Sequence, residues 1–346
     1  MKAAPIIRAL EGHPGIQASL IHTGQHYDAV MSDAFFRDLE LPEPDVFLGV
    51  GAGSHAEQTG RVMVEFERRL ASSSADAVLV IGDVNSTLGC AVVAAKAGIR
   101  VGHVEAGLRS FDRSMPEEIN RIVADSLSSI LLTTSEDANE HLRREGHAPD
   151  EIHFVGNTMI DSLERHRAGA ADPRPLPEAG IEPGTYLLVT LHRPANVDDP
   201  DRLARTLRAL GALSLPVVLP MHPRTRSVAE GAGLGTLLER LRILPPVGYL
   251  EFLRLQTHAR MVLTDSGGVQ EETTVLGVPC LTFRDNTERP VTISHGTNRL
   301  IGTDPDRIGP EVEAVLSNPP SPTRVPPLWD GHAAERIVGV LERVLP

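Results

Sequence analysis

Short apolar runs bounded by Gly, Pro, Asp and Asn recur along the whole chain, with amphipathic stretches of helical period between them. Runs at residues 19–23, 45–50, 77–83, 100–105, 130–134 and 152–155 predict one set of strands. Runs at 186–192, 216–222, 242–244, 260–265, 279–283 and 298–301 predict a second set. The run Met261-Val262-Leu263-Thr264 does not alternate with polar residues, as expected of a parallel strand buried on both faces. Helical patterns at 2–10, 55–70, 85–97 and 117–128 supply crossover connections between strands. Strands alternating with helices imply parallel sheets and an α/β chain.

The segment 167–184 is rich in Ala, Pro and Gly and has little periodicity, so it is the expected interdomain linker. The predicted domains are residues 1–166, joined by a C-terminal helix at 332–346 that packs back, and residues 167–331. Each half has the pattern of a doubly wound unit. The helix at 2–10 has no strand ahead of it, whereas a doubly wound domain normally starts with a strand that becomes central. The expectation is therefore an N-terminal domain that lacks its first strand.

Composition narrows the class. At 346 residues, two domains are the prior, and 41% hydrophobic with 23% charged residues is ordinary for a globular chain. A formal charge of −13 argues against nucleic acid or an anionic membrane as partner. No apolar run has the length of a membrane span, and no signal peptide opens the chain. Cys90 and Cys280 lie in apolar surroundings and suit small core residues better than a disulfide, a metal site or a nucleophile. These features point to the cytoplasm.

Candidate chemistry collects where strands end, which is where α/β proteins place their sites. After the strand at 260–265 comes Asp265-Ser266-Gly267-Gly268-Val269-Gln270-Glu271-Glu272, a tight turn opening a helix. Backbone N–H groups and the positive helix end there suit a phosphate. Glu272, one turn in, is placed to accept from ribose hydroxyls. An ordinary turn capped by Asp265 or Ser266 is an equal alternative. Asp83 closes the strand at 77–83, Glu105 the strand at 100–105, and Glu117 follows Pro116 at a helix start. Asp83 also suits a helix cap, and Glu117 and Arg121, one turn apart, suit an ordinary helix pair. Glu105 in so apolar a strand needs a partner or a raised pKa. His192 with Arg193, and His222, close the first two strands of the second set. Together they suggest a site in a cleft between the domains.

Several stretches, taken in order, resemble a known family. They are Gly82-Asp83 with Asn85-Ser86-Thr87, His103-Val104-Glu105-Ala106-Gly107-Leu108-Arg109, Pro116-Glu117-Glu118-Ile119-Asn120-Arg121 and Val155-Gly156-Asn157-Thr158. Thr190-Leu191-His192-Arg193, the Asp265-to-Glu272 turn and Thr287-Glu288-Arg289-Pro290 complete the set. The chain is similar to the non-hydrolysing UDP-N-acetylglucosamine 2-epimerases. The resemblance implies two Rossmann-like domains facing across a cleft in the glycosyltransferase-B manner, a homodimer, a UDP-sugar substrate, and no metal or other cofactor. It implies elimination of UDP across C1–C2, then re-addition to 2-acetamidoglucal after reprotonation on the other face. Asp83, Glu105 and Glu117 match the acid/base groups, with His192 beside the sugar or leaving group. Lys2, Arg121, Arg193, His222 and Arg289 match substrate-binding positions. Ser266, Gly267 and Gly268 match the diphosphate turn, Glu272 the ribose ligand and Phe252 a position beside uracil; Phe252 suits a core aromatic nearly as well. Gln25, His26 and His222 match part of a second, activating UDP-sugar site.

The chain also departs from the pattern. The family opens with a strand and a Gly-Thr-Arg-Pro-Glu turn that this sequence does not contain. Where the family often has His-Arg-x-Glu-Asn, this chain has His192-Arg193-Pro194-Ala195-Asn196. Its Thr23-Gly24-Gln25-His26-Tyr27-Asp28 resembles relatives acting on diacetamido uronic acid nucleotides. Three alternatives therefore stay open: a hydrolysing 2-epimerase, a glycosyltransferase-B type enzyme on a related UDP-sugar, or a catalytically weak nucleotide-sugar binding protein.

Overall fold

The computed structural model describes residues 1–25, 38–173, 176, 180–320 and 324–346. The chain divides into two compact units, Met1–Ser162 with Pro327–Pro346, and Leu163–Pro326. The division falls inside the helix Thr158–Ala170, ahead of the segment 167–184 whose composition suggests a linker. All twelve expected strands are present and every strand pair is parallel; most are shorter at their ends than the apolar runs that predict them.

The first unit carries β1 (Ile21–His22) paired with β2 (Val46–Phe47) as a separate two-stranded sheet. Its main sheet is β3 (Ala77–Ile81), β4 (Arg100–Ala106), β5 (Ile130–Thr133) and β6 (Ile152–Phe154), side by side in that order. No described residue supplies a strand joining β1 to β3. Both faces of the main sheet are covered. Ile130 and Leu132 pack with Ile6 of the helix Ala3–Leu10 and with Ile337, Val340 and Leu341 of the helix Ala333–Val344. Leu131, pointing the other way, meets Leu142.

Local chemistry explains the helices that frame the strand ends. The helix His55–Leu70 begins with a capping box, in which Ser54 Oγ accepts from Glu57 N–H and Glu57 accepts from Ser54 N–H. Its Val62, Phe66 and Leu70, spaced by one turn, are buried. The helix Pro116–Leu127 starts on proline with Glu117 and Glu118 in its first turn, which suits the fixed φ of proline and the positive helix end.

The second unit is a six-stranded sheet. Its strands are β7 (Leu187–Thr190), β8 (Val217–Pro220), β9 (Arg242–Leu244), β10 (Met261–Thr264), β11 (Cys280–Thr282) and β12 (Asn298–Leu300). They lie in the order β12-β11-β10-β7-β8-β9. Leu187 and Val189 of β7 enter one core with Leu219 and Leu263, while Leu188 enters the other with Val218 and Val262. Burial on both faces is why these runs do not alternate with polar residues. The chain winds outward one way through β8 and β9, then the other way from β10. The strand order therefore reverses between β7 and β10, the point at which such sheets bind ligands.

The start of the helix Ala333–Val344 is capped by Asp161. The carboxylate of Asp161 accepts from the backbone N–H groups of Ala333 (3.1 Å) and Ala334 (2.7 Å). Asp161→Ala is expected to cost about 1–2 kcal/mol, because it orphans two N–H groups in a buried helix start. Calorimetry should record a fall in Tm of about 2–4 °C per kcal/mol for a body of this size; an unchanged Tm would show that the helix does not depend on this cap.

Candidate active site

In the first unit two of the expected acids, Asp83 and Glu105, stand at the carboxyl ends of β3 and β4. Asp83, just past β3, pairs with Arg121 Nη1 at 2.5 Å, and its carbonyl accepts from Asn120. Glu105 is 3% exposed and pairs with Lys2 Nζ at 2.5 Å. Lys2 immediately precedes the helix Ala3–Leu10 without capping it, and its ammonium also lies against the Gly82 turn. Glu105 has φ +72°, and the β4–β5 register shifts between Val104 and Ala106, so it occupies a bulge. A left-handed backbone costs a non-glycine residue about 1–2 kcal/mol, and bulges re-aim side chains beside active sites.

Arg121 does not form the simple helix pair with Glu117 that the spacing allows. Its guanidinium serves Asp83 and Glu118, with Nη2 2.7 Å from Glu118. Glu118 is buried and accepts from Ser110 N–H, Ser110 Oγ and Phe111 N–H as well. Burial pushes its pKa up, but these donors and Arg121 outweigh that and hold it below the usual value. Glu118 thus fixes the loop ahead of Glu117, which stands half-buried in the first helical turn.

Behind these groups lies a cluster that the sequence reading overlooked. His103 is fully buried, with Nδ1 2.6 Å from Asp125 and Nε2 2.9 Å from the Gly82 carbonyl. Asp125 also accepts from Gly107 N–H at 3.0 Å and pairs with Arg109 at 2.7 Å. Arg109 in turn grips Glu145 with two parallel hydrogen bonds of 2.8 and 2.6 Å. The available signal was the spacing of Glu118, Arg121 and Asp125, which places three charges on one face of an otherwise amphipathic helix.

Gln25 and His222 have local tasks. The Gln25 carboxamide oxygen accepts from Ser86 N–H (2.8 Å) and Ser86 Oγ (2.7 Å). His222 is exposed and caps the helix Pro223–Gly231, accepting from Arg224 N–H at 3.1 Å. His26 lies outside the described residues.

In the second unit, the ends of β7 and β10 meet through Asp265. It is fully buried and is not a helix cap. Its carboxylate accepts from the N–H groups of His192 and Arg193 and from Asn196 Nδ2, and lies 2.8 Å from His192 Nδ1. Burial would raise its pKa; His192, Asn196 and the Arg193 amide more than reverse this, leaving it lowered. His192 is thereby oriented while about half its side chain stays exposed, 48%. Arg193 donates from Nε to the Asp265 carbonyl at 2.9 Å.

Ser266 is the N-cap position of the helix Gly267–Leu276, and its side chain makes no capping hydrogen bond. The guanidinium of Arg289 lies directly under this turn: a Cβ on Gly267 would stand 2.5 Å from Arg289 Nη1. Arg289 is held by Glu271 (2.7 Å) and Glu288, and Glu288 also pairs with Arg284. Arg289 thus sits beneath the positive helix end with its own charge matched by Glu271 and Glu288. Glu272 is 2% exposed and lies against Tyr249 and Gln256. Burial, opposed by Tyr249 and Gln256 and aided by Glu271, raises its pKa to about 8. Phe252 is half-buried and packs on the core of β7, β8 and β10.

Known proteins resemble this chain over nearly its whole length. The family model of UDP-N-acetylglucosamine 2-epimerase matches residues 8–342. The UDP-N-acetylglucosamine 2-epimerase of Methanocaldococcus jannaschii is 42% identical over 351 aligned positions, 99% of this chain and 95% of that enzyme. A crystal structure of M. jannaschii UDP-GlcNAc 2-epimerase in complex with UDP-GlcNAc and UDP matches with a TM-score of 0.90 and 41% identity, covering 99% of this chain and 96% of that one. The UDP-2,3-diacetamido-2,3-dideoxy-D-glucuronate 2-epimerase of Pseudomonas aeruginosa is 42% identical over 313 positions, 89% of this chain and 86% of that enzyme. The fold is the α/β, glycosyltransferase-B type of these enzymes, with a parallel sheet in each unit. Matched by the family model over nearly its whole length, this chain belongs to the UDP-N-acetylglucosamine 2-epimerase family.

Proposed function

We propose that the protein interconverts UDP-N-acetylglucosamine and UDP-N-acetylmannosamine, without hydrolysis, in the cytoplasm and as a homodimer. The observation that carries the reading is the full-length likeness to 2-epimerases, together with Asp83 and Glu105 at strand ends of the first unit and Glu117 at a helix start. The C2 proton is only weakly acidic, so direct deprotonation is a poor route. In the elimination route a carboxylate takes the C2 proton as the C1–O bond breaks, and the bonding pair leaves with UDP. Proton return to the other face of C2 and re-addition of UDP at C1 complete the inversion. Asp83, Glu105 and Glu117 are the acid/base groups and His192 assists at the sugar or leaving group. Lys2, Arg121, Arg193 and Arg289 supply cationic charge. Ser266, Gly267 and Gly268 hold the diphosphate, Glu272 the ribose, and Phe252 lies beside uracil. Gln25, His26 and His222 belong to a second UDP-sugar site that activates the first.

A diacetamido uronic acid nucleotide is a second candidate substrate, favoured by equal identity to the P. aeruginosa enzyme. Proton NMR in heavy water, with each nucleotide sugar in turn, decides the matter. Deuterium at C2 with the UDP-linked 2-epimer as product is expected. Free sugar would indicate the hydrolysing reaction, and binding without exchange a protein that does not catalyse.

Asp83→Asn, Glu105→Gln and Glu117→Gln are each expected to lower turnover about a hundredfold to ten-thousandfold and to leave UDP affinity nearly unchanged. Wild-type turnover in all three would place the chemistry elsewhere.

The Ser266 turn should behave in the opposite way. Gly267→Val collides with Arg289, and Glu272→Ala removes the ribose acceptor, so both should weaken UDP binding at least about tenfold by calorimetry. Unchanged affinity in both would reduce the turn to an ordinary helix start.

A further inference from the structure

His103 has no exposed surface and two ring nitrogens, each facing an acceptor. Nδ1 lies 2.6 Å from the Asp125 carboxylate, and Nε2 lies 2.9 Å from the Gly82 carbonyl oxygen. A neutral imidazole has one N–H and one bare lone pair, so in either tautomer a lone pair would point at an oxygen. Asp125 is kept in its carboxylate form, and so as an acceptor, by the ion pair of its other oxygen with Arg109 and by the Gly107 N–H bond to that oxygen. With Asp125 ionised, only the imidazolium satisfies both contacts.

We propose that His103 is a buried imidazolium that acts as a positioning residue for Asp83 and Glu105. Through Nε2–H it fixes the carbonyl of Gly82, the residue before Asp83, while Gly82 N–H is held by the Val104 carbonyl. Through Nδ1–H it anchors Asp125, which holds the Gly107 amide two residues past Glu105. One charged ring thus sets the exits of two neighbouring strands. It cannot shuttle protons itself, since both nitrogens are engaged and no water-exposed surface remains.

The surrounding charges agree. Asp125 faces the ring from the helix Pro116–Leu127, and Arg109 with Glu145 stands beyond it. Glu105 lies on the same strand with Lys2 attached, and Asp83 with Arg121 follows the Gly82 turn. Burial pushes the ring towards neutrality; Asp125, the Gly82 carbonyl and Glu105 outweigh it, and the pKa lies above the ordinary histidine value. The direction of the shift agrees with the geometry: the charged form is favoured, and the charge is lost as pH rises through the raised pKa.

The positional role rests on Asp83 and Glu105 being acid/base groups; the protonation state does not. The test uses the full chain labelled with 15N-histidine. Long-range proton–nitrogen spectra at pH 8 should contain one histidine with both nitrogens protonated, absent from His103→Gln. If that variant does not fold, through-space contacts to Gly102 and Val104 assign the ring. A neutral His103 ring at pH 8 overturns the proposal. In wild type, kcat should fall on the alkaline side with the midpoint of the ring titration. In folded His103→Gln, kcat should drop at least about tenfold and lose that limb, with UDP affinity within twofold. A wild-type kcat that ignores the ring titration overturns the positioning role. Wild-type turnover in both Asp83→Asn and Glu105→Gln, with His103 still doubly protonated, would instead remove the catalytic assignment and leave the charged ring in place.

Discussion

Asp125 has no contact with solvent, yet its carboxylate carries a negative charge into the middle of an apolar α/β layer. A carboxylate so placed loses hydration worth several kcal/mol, and only close donors compensate. Here they come from three directions: the His103 ring from β4, the Arg109 guanidinium from the following turn, and the Gly107 amide. These donors hold its pKa below the usual value although burial pushes the other way. Removing one partner of such a group typically costs about 3–5 kcal/mol, far more than the pair contributes relative to apolar packing. The layer behind the strand ends is therefore fixed by a penalty for moving as much as by attraction. With the ring charged, His103, Arg109 and Lys2 balance Asp125, Glu145 and Glu105.

The unusual backbone at Glu105 depends on that anchoring. Its left-handed conformation and the register shift beside it are unfavourable in isolation. Val104 on one side accepts from Gly82, and Gly107 on the other donates to Asp125, so the bulge is held at both ends. Gly107 itself has φ +80°, and a Cβ there would stand 2.5 Å from the Ala138 carbonyl. Glycine is required by both geometry and space. The result aims a buried carboxylate at Lys2 from a strand that would otherwise turn this side chain into the sheet face.

Much of this was legible in the sequence. The strands announce themselves as aliphatic runs closed by Gly, Pro or Asp, and β10 followed by Ser266-Gly267-Gly268 marks the turn before its contacts are known. The acids and histidines at strand ends follow from the same pattern. What stayed hidden depends on contacts distant in sequence. Nothing local to Asp265 says that it will hold His192 from 73 residues away rather than cap its own helix. Nothing in the apolar run of β4 distinguishes a bulge at Glu105 from a regular strand end. The separation of β1 from β3 is likewise a property of the sheet, invisible in the periodicity of either strand. The inward face of the helix Pro116–Leu127 is the intermediate case: Glu118, Arg121 and Asp125 fall on one stripe, but their partners lie in the neighbouring turns and strands.

The two units use the same pair of side chains to different ends. In the second, Asp265 takes one nitrogen of His192 and two backbone amides, and leaves half of the histidine exposed. That arrangement fixes a ring while leaving about half of it exposed. In the first, Asp125 takes one nitrogen of His103 and the Gly82 carbonyl takes the other, with no surface left over. That ring can only hold. The difference follows from where each pair sits. His192 lies beyond the end of β7, where the sheet order reverses and the chain opens outward, whereas His103 lies inside β4, two residues before the strand turns. An aspartate–histidine pair is therefore not evidence of proton transfer by itself; the number of ring nitrogens already committed decides whether it moves a proton or fixes a backbone.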